Sequence, residues 1–190
     1  MGKYRIPCVT MALLSITLPL AMIAVSILMS PWFNIYNNAL SDLGHAVRRS
    51  SAPVFNLGLA TGGFLVSIFA SKYLVITSKT LGIAASISGY LLMLVGLYDQ
   101  VYNMHGKLHY YASVAFFLSL ACLLLIYAAV IKDKLRKTLA ITSLIVAVIT
   151  WYLHLELGIP RGAAIPELVS IFAVIPFYMD LVLRQTCREM

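Results

Sequence analysis

Charge is what this chain has least of. Asp, Glu, Lys and Arg together make up 11% of its 190 residues, and only seven are acidic. Cysteine is nearly as scarce: Cys8, Cys122 and Cys187 fall within apolar runs or at the basic end of the chain. None of them can pair on the opposite, outer face, so no disulfide staple is expected. No phosphate-binding loop, dinucleotide fingerprint, Gly-x-Ser-x-Gly elbow or convincing internal repeat is present, which removes the enzyme classes those motifs mark. Short, broken helix pairs of the inverted-repeat transporter kind are also missing, as is any lipidation motif.

What is abundant is apolar sequence, 61% of the chain. Six runs stand out: Pro7–Met29, Val54–Thr77, Leu81–Tyr98, His109–Ile131, Leu139–Leu155 and Pro166–Leu183. Each falls within the ~17 to 25 residues that cross a ~30 Å hydrocarbon core as a helix. Unbroken apolar runs exclude the alternating pattern of a membrane barrel. The expected fold is all-α: a polytopic, six-transmembrane-helix bundle forming a single domain over residues 1–190. The first run exceeds a signal peptide's ~7 to 15 apolar residues, and no small-x-small cleavage site precedes Pro31-Trp32, so it reads as a retained anchor.

Lys and Arg set the orientation. Ten of them (Lys3, Arg5, Lys72, Lys79, Lys132, Lys134, Arg136, Lys137, Arg184 and Arg188) share one side with both termini. Four (Arg48, Arg49, Lys107 and Arg161) lie on the other. The bias gives a multi-pass protein of the cell membrane with both termini in the cytoplasm. The net charge of +7 then reflects topology and contact with anionic lipid heads. It does not point to nucleic acid, because no soluble basic domain exists to carry it.

The outer connections hold the candidate chemistry. The first, Ser30 to Pro53, is the longest; Trp32, Phe33 and Tyr36 suit an interfacial belt. Asn37 is placed to cap a short helix that ends at Gly44 and lies along the membrane surface. Together the outer connections carry Ser41, Asp42, His45, Asp99, His105, His109, His154, Glu156, Arg161 and Glu167, which include all four histidines and four of the seven acids. Ionisable groups at a membrane boundary usually face a cavity or one another. The expectation is one outward-facing polar pocket.

Within it, the spacing of His105 and His109, and of Ser41 and His45, would put each pair on one helical face. Gly106 and Lys107 leave a loop as the alternative for His105. Imidazoles, a carboxylate and an open position are what a catalytic zinc site needs. Asp42, His45, Asp99, His105 and His109 are its candidate ligands, with Ser41 and Glu167 as assisting catalytic groups. That reading makes the protein a metal-dependent hydrolase acting on a membrane lipid. A second reading makes it a cytochrome with haem b held by His109 and His154. A third makes it a non-catalytic lipid-binding or assembly protein. The plainer roles are a hydrogen bond to a neighbouring helix for His154 and helix-start chemistry for Glu167. Arg161 is placed to pair with Glu156 or Glu167 or to bind a lipid phosphate, and Asp180 to pair with Arg184 one turn on. Gly58, Gly62 and Gly63 supply a small-residue face for helix packing, and such faces also offer a homo-oligomer contact.

The stretches NALSDLG at 38–44, SAPVFNLGL at 51–59, LHYYASVAFFLSL at 108–120 and AIPELVSIF at 164–172 resemble the membrane family catalogued as domain of unknown function 998. The resemblance spans most of the chain, implies the same six-helix layout and supplies no activity. It implicates Ser41, Asp42, His109 and Glu167. The order Ser41/His45, Asp99, His105/His109 is also similar to the zinc-binding pattern of the alkaline ceramidase and adiponectin-receptor superfamily. That superfamily differs in having seven helices, with its last histidine pair in the final one.

Overall fold

The computed structural model describes residues 6–104 and 106–188. Six helices are long and apolar enough to cross a membrane: α1 (Ile6–Leu28), α2 (Ala52–Thr77), α3 (Lys79–Leu97), α4 (Leu108–Val130), α5 (Lys134–Leu157) and α6 (Ala164–Leu181). Five of the six match the expected runs within about three residues. α5 starts earlier because Asp133 caps it, accepting from the Arg136 amide at 3.0 Å, which satisfies one of the free amides of a first turn. Two helices carry π turns near the end that holds both termini, Ala70–Leu74 inside α2 and Val182–Thr186 after α6.

In lipid, apolar side chains gain little by meeting each other, so helices associate through close backbone packing and hydrogen bonds. Glycine provides the first. A Cβ on Gly63 would stand 2.4 Å from the Gly89 carbonyl oxygen, and one on Gly62 would stand 2.6 Å from Pro19 Cγ. The expected small-residue face of α2 is therefore occupied inside the chain, by α3 on one side and α1 on the other. α5 is the outlying helix: only Ala140 and Ala147 are buried along it, and it leans on α4 and α6. At the terminal end Asp180 of α6 accepts from Tyr127 at 2.8 Å and pairs with Arg136 of α5 at 3.3 Å. Its pairing with Arg184, 3.0 Å, is the expected i,i+4 bridge. One carboxylate thus ties α4, α5 and α6 together at that end.

The cysteines correct the sequence reading. Cys8 and Cys187 form a disulfide, with Cα atoms 5.5 Å apart and both residues fully buried. Six crossings return the C-terminus to the side of the N-terminus, and the π turn after α6 brings its end against the first turns of α1. The absence of cysteine from the outer face said nothing about this end. Alkylation without reduction should modify Cys122 alone among the three, and all three after reduction and unfolding, as counted by mass spectrometry. Modification of Cys8 before reduction would refute the pairing.

Candidate functional site

The end opposite the termini, called distal here, is built from three connections that fold onto one another. The first is anchored in the bundle. Its five-residue 3-10 helix, Leu40–Gly44, turns Leu40 and Leu43 into the bundle. Asn37 is not its cap. The helix opens at Ala39, whose amide donates to Asp42 Oδ2 at 2.9 Å, while Asn34 closes the preceding turn by accepting from the Tyr36 and Asn37 amides. Ser51 Oγ, accepting from Ser30 and donating to the Leu43 carbonyl, fastens the end of the connection. The third connection docks on the first: the Gly162 and Ala164 amides donate to the carbonyls of Tyr36 and Asn38.

Glu167 completes this arrangement. It lies in the first turn of α6, buried, and its Oε2 accepts from the Leu40 amide at 2.7 Å. The helix-start role expected from Pro166-Glu167 is therefore joined by a second one. The carboxyl caps the 3-10 helix of a segment 127 residues away in sequence. Its other oxygen has no hydrogen bond among the described residues, and Glu167 borders a cavity.

That cavity, of about 600 Å³, lies between α4, α5 and α6. Its distal end is lined by Ser41, Gln100, Asn103, His109, His154 and Glu167. Below them Phe117 and Trp151 stack at 5.2 Å, and Trp151 donates to Ser170 Oγ at 2.9 Å. Deeper still the lining is apolar, reaching Leu124, Leu144 and Val174. The fifteen-residue step from His109 to Leu124 along α4 corresponds to roughly 22 Å at 1.5 Å per residue. Residues that line the cavity and are also exposed, among them Val114 and Leu118 on α4 and Val148 and Tyr152 on α5, mark a sideways opening between those helices.

The two cavity histidines are oriented alike. His109 Nδ1 is 2.6 Å from the Tyr98 carbonyl, and His154 Nδ1 is 2.8 Å from the Pro160 carbonyl. A carbonyl only accepts, so each Nδ1 carries the hydrogen, and in the neutral ring each Nε2 is an acceptor. His109 Nε2 meets Ser113 Oγ at 3.4 Å. Ser113, one turn along α4, and Gln100 were missed by the sequence reading. Gln100 donates to Ser41 Oγ at 3.0 Å and Asp42 Oδ1 at 2.8 Å, joining the first connection to the second. An i,i+4 search starting from His109 would have found Ser113; nothing local marks Gln100.

The other candidates separate from the cavity. Asp42 stands behind it, held by Gln100, Asn38 and the Ala39 amide. Asp99 caps the short helix Gln100–Asn103 through the Val101 amide. His45 does not share a face with Ser41, because the intervening helix is 3-10, with three residues per turn; His45 lies just past its end, its Nδ1 buried without a partner. Arg161 is exposed and makes no ion pair among the described residues, contrary to the expected pairing with Glu156 or Glu167. His105 lies outside the described residues. Gly106 and Lys107 both have positive φ and α4 begins only at Leu108, so the helix does not extend back to present a His-x3-His face.

Among the described residues no three His, Cys, Asp or Glu side chains gather to hold a metal ion. Asp42, Asp99 and His109 are each committed to protein partners, so with His45 apart they do not assemble into a zinc site. For haem, His109 and His154 do line one cavity, but no Lys or Arg among the described lining would meet the porphyrin's carboxylates. No chemistry below is routed through either group. Searches among curated proteins and among solved structures found no match. A comparison with protein-family models matches residues 13–182, nearly the whole bundle, and the chain belongs to that family, described as Protein of unknown function (DUF998).

Proposed function

We propose that this membrane protein binds a lipid-like amphiphile, drawn sideways from the bilayer into the cavity between α4, α5 and α6. One observation carries the reading: the cavity is polar at its distal end, apolar along its length and open towards the surrounding lipid. Its volume falls in the ~300–1,000 Å³ range of small-molecule sites. The polar head would sit against His109, His154 and Glu167, with the chain passing Phe117 and Trp151. A bond-breaking step draws less support. Among the described residues Ser41 Oγ bonds only Gln100 and has no imidazole or carboxylate within hydrogen-bond reach to act as its base. Native mass spectrometry of protein extracted in mild detergent should show a co-purifying lipid adduct. Leu120→Trp, which fills the cavity, should remove that adduct without lowering yield. An adduct that persists unchanged in the folded variant would place the lipid elsewhere.

The cavity's polar end is proposed to face outward, on the ten-to-four distribution of Lys and Arg. The Cys8–Cys187 disulfide lies at the opposite, basic end, and disulfides generally mark oxidising compartments. Both cysteines are fully buried, which slows reduction in the folded state from whichever side the pair faces. Val47 is exposed in the first connection and Lys134 at the start of α5. In intact cells an impermeant thiol reagent should label Val47→Cys and spare Lys134→Cys; the reverse pattern inverts the topology.

A further inference from the structure

Three acceptors at the cavity's polar end are free or nearly so. Glu167 Oε1 has no partner among the described residues, and His154 Nε2 has none either, since its only hydrogen bond is through Nδ1. His109 Nε2 is met only at 3.4 Å by Ser113. Gln100 Nε2 is already used on Ser41 and Asp42, and Trp151 Nε1 on Ser170, which leaves the exposed Asn103 amide as a neutral donor at the rim. No Lys or Arg is among the described lining residues. Of the distal cations, Arg49 lies over the Trp32 ring at 3.6 Å, and neither Lys107 nor Arg161 borders the cavity. An anionic head would enter a space that holds one carboxyl group, has another behind it at Asp42 and offers no counter-charge. In a low-dielectric site an unpaired charge is expensive.

We infer, building on the binding reading above, that the cavity selects lipids whose heads carry hydrogen-bond donors and no negative charge, hydroxyl or amine heads rather than phosphates or carboxylates. The hydrogens of a diol or ammonium head can be shared among Glu167 Oε1 and the two Nε2 atoms, whereas a phosphate oxygen, itself an acceptor, satisfies none of them. An anionic head also brings its charge beside the Glu167 carboxyl with no Lys or Arg in the described lining to offset it. The length of the cavity, roughly 22 Å by helix rise, is more than half of a ~30 Å hydrocarbon core. It therefore suits a chain anchored at one interface.

The test uses four photo-crosslinking lipids that share one diazirine-bearing acyl or alkyl chain and differ only in the head: a monoacylglycerol, a long-chain amine, a fatty acid and a lysophosphatidate. The full-length protein in nanodiscs of neutral lipid is irradiated with each, and the labelled peptides of α4 and α5 are quantified. The glyceride and amine should label at least about tenfold more than the two anions, the equivalent of ~1.4 kcal/mol. Comparing glyceride with amine shows which donor is preferred. Glu167→Gln should narrow the gap by improving the lysophosphatidate, while Val47→Cys, remote from the cavity, should leave it unchanged. Equal or stronger labelling by the anions overturns the head-group inference and leaves lipid binding standing. No labelling of these peptides by any probe overturns both.

Discussion

Glu167→Ala is expected to lower the protein's thermal midpoint by several degrees, and Glu167→Gln to lower it much less. The carboxyl accepts the Leu40 amide at 2.7 Å, in a place where water cannot substitute because both residues are buried. Alanine leaves that amide unpaired, which costs about 1–3 kcal/mol. For a chain of this size each kcal/mol moves the midpoint by roughly 2–4 °C. Glutamine keeps an acceptor of the same length, so the Leu40 contact survives while the charge does not. The two variants therefore separate a structural role from a ligand role. Both should narrow the preference for donor-bearing heads, but only alanine should loosen the first connection. Trp32 fluorescence in detergent, followed against temperature, reads that loosening. If alanine and glutamine melt alike and with the parent protein, the Leu40–Glu167 bond is not what holds the distal end together.

The helices were legible because a bilayer imposes one rule on every crossing, a run of apolar residues of fixed length. The convergence of distal groups was legible only in part: Asp42, His109 and Glu167 were expected together because ionisable groups are costly facing lipid alone, and His109 and Glu167 share the cavity while Asp42 stands behind it. What resisted reading was anything decided by tertiary geometry. Ser41 and His45 have α-helical spacing, yet their segment folds as a 3-10 helix because Asp42 reaches back to the Ala39 amide. His105 and His109 have chelating spacing, yet two residues of positive φ separate them. The pairing of Cys8 with Cys187 spans 179 residues and depends on a π turn that no local pattern announces. Gln100 carries no signal because its importance lies wholly in joining two connections.

The crossing of α2 and α3 rests on backbone contact, and that gives the last prediction. Gly63→Leu should prevent assembly, and Gly63→Ala should cost about 1–3 kcal/mol, the usual range for overpacking. At this crossing the neighbours are backbone, not movable side chains. A Cβ on Gly63 would approach the Gly89 oxygen to 2.4 Å and the Met93 nitrogen to 2.5 Å. From the other side, a Cβ on Gly89 would approach the Gly63 oxygen to 2.7 Å. Helices α2 and α3 must then move apart as rigid units, which would also strain the Ser67 bond to the Ser86 carbonyl, 3.1 Å. Leu57→Ala, on the lipid-exposed side of the same helix, is the control and should behave like the parent. Size-exclusion chromatography of tagged protein in detergent reports assembly as a single symmetric peak. A symmetric peak and unchanged melting for Gly63→Leu would mean that the α2–α3 crossing is looser than this geometry requires.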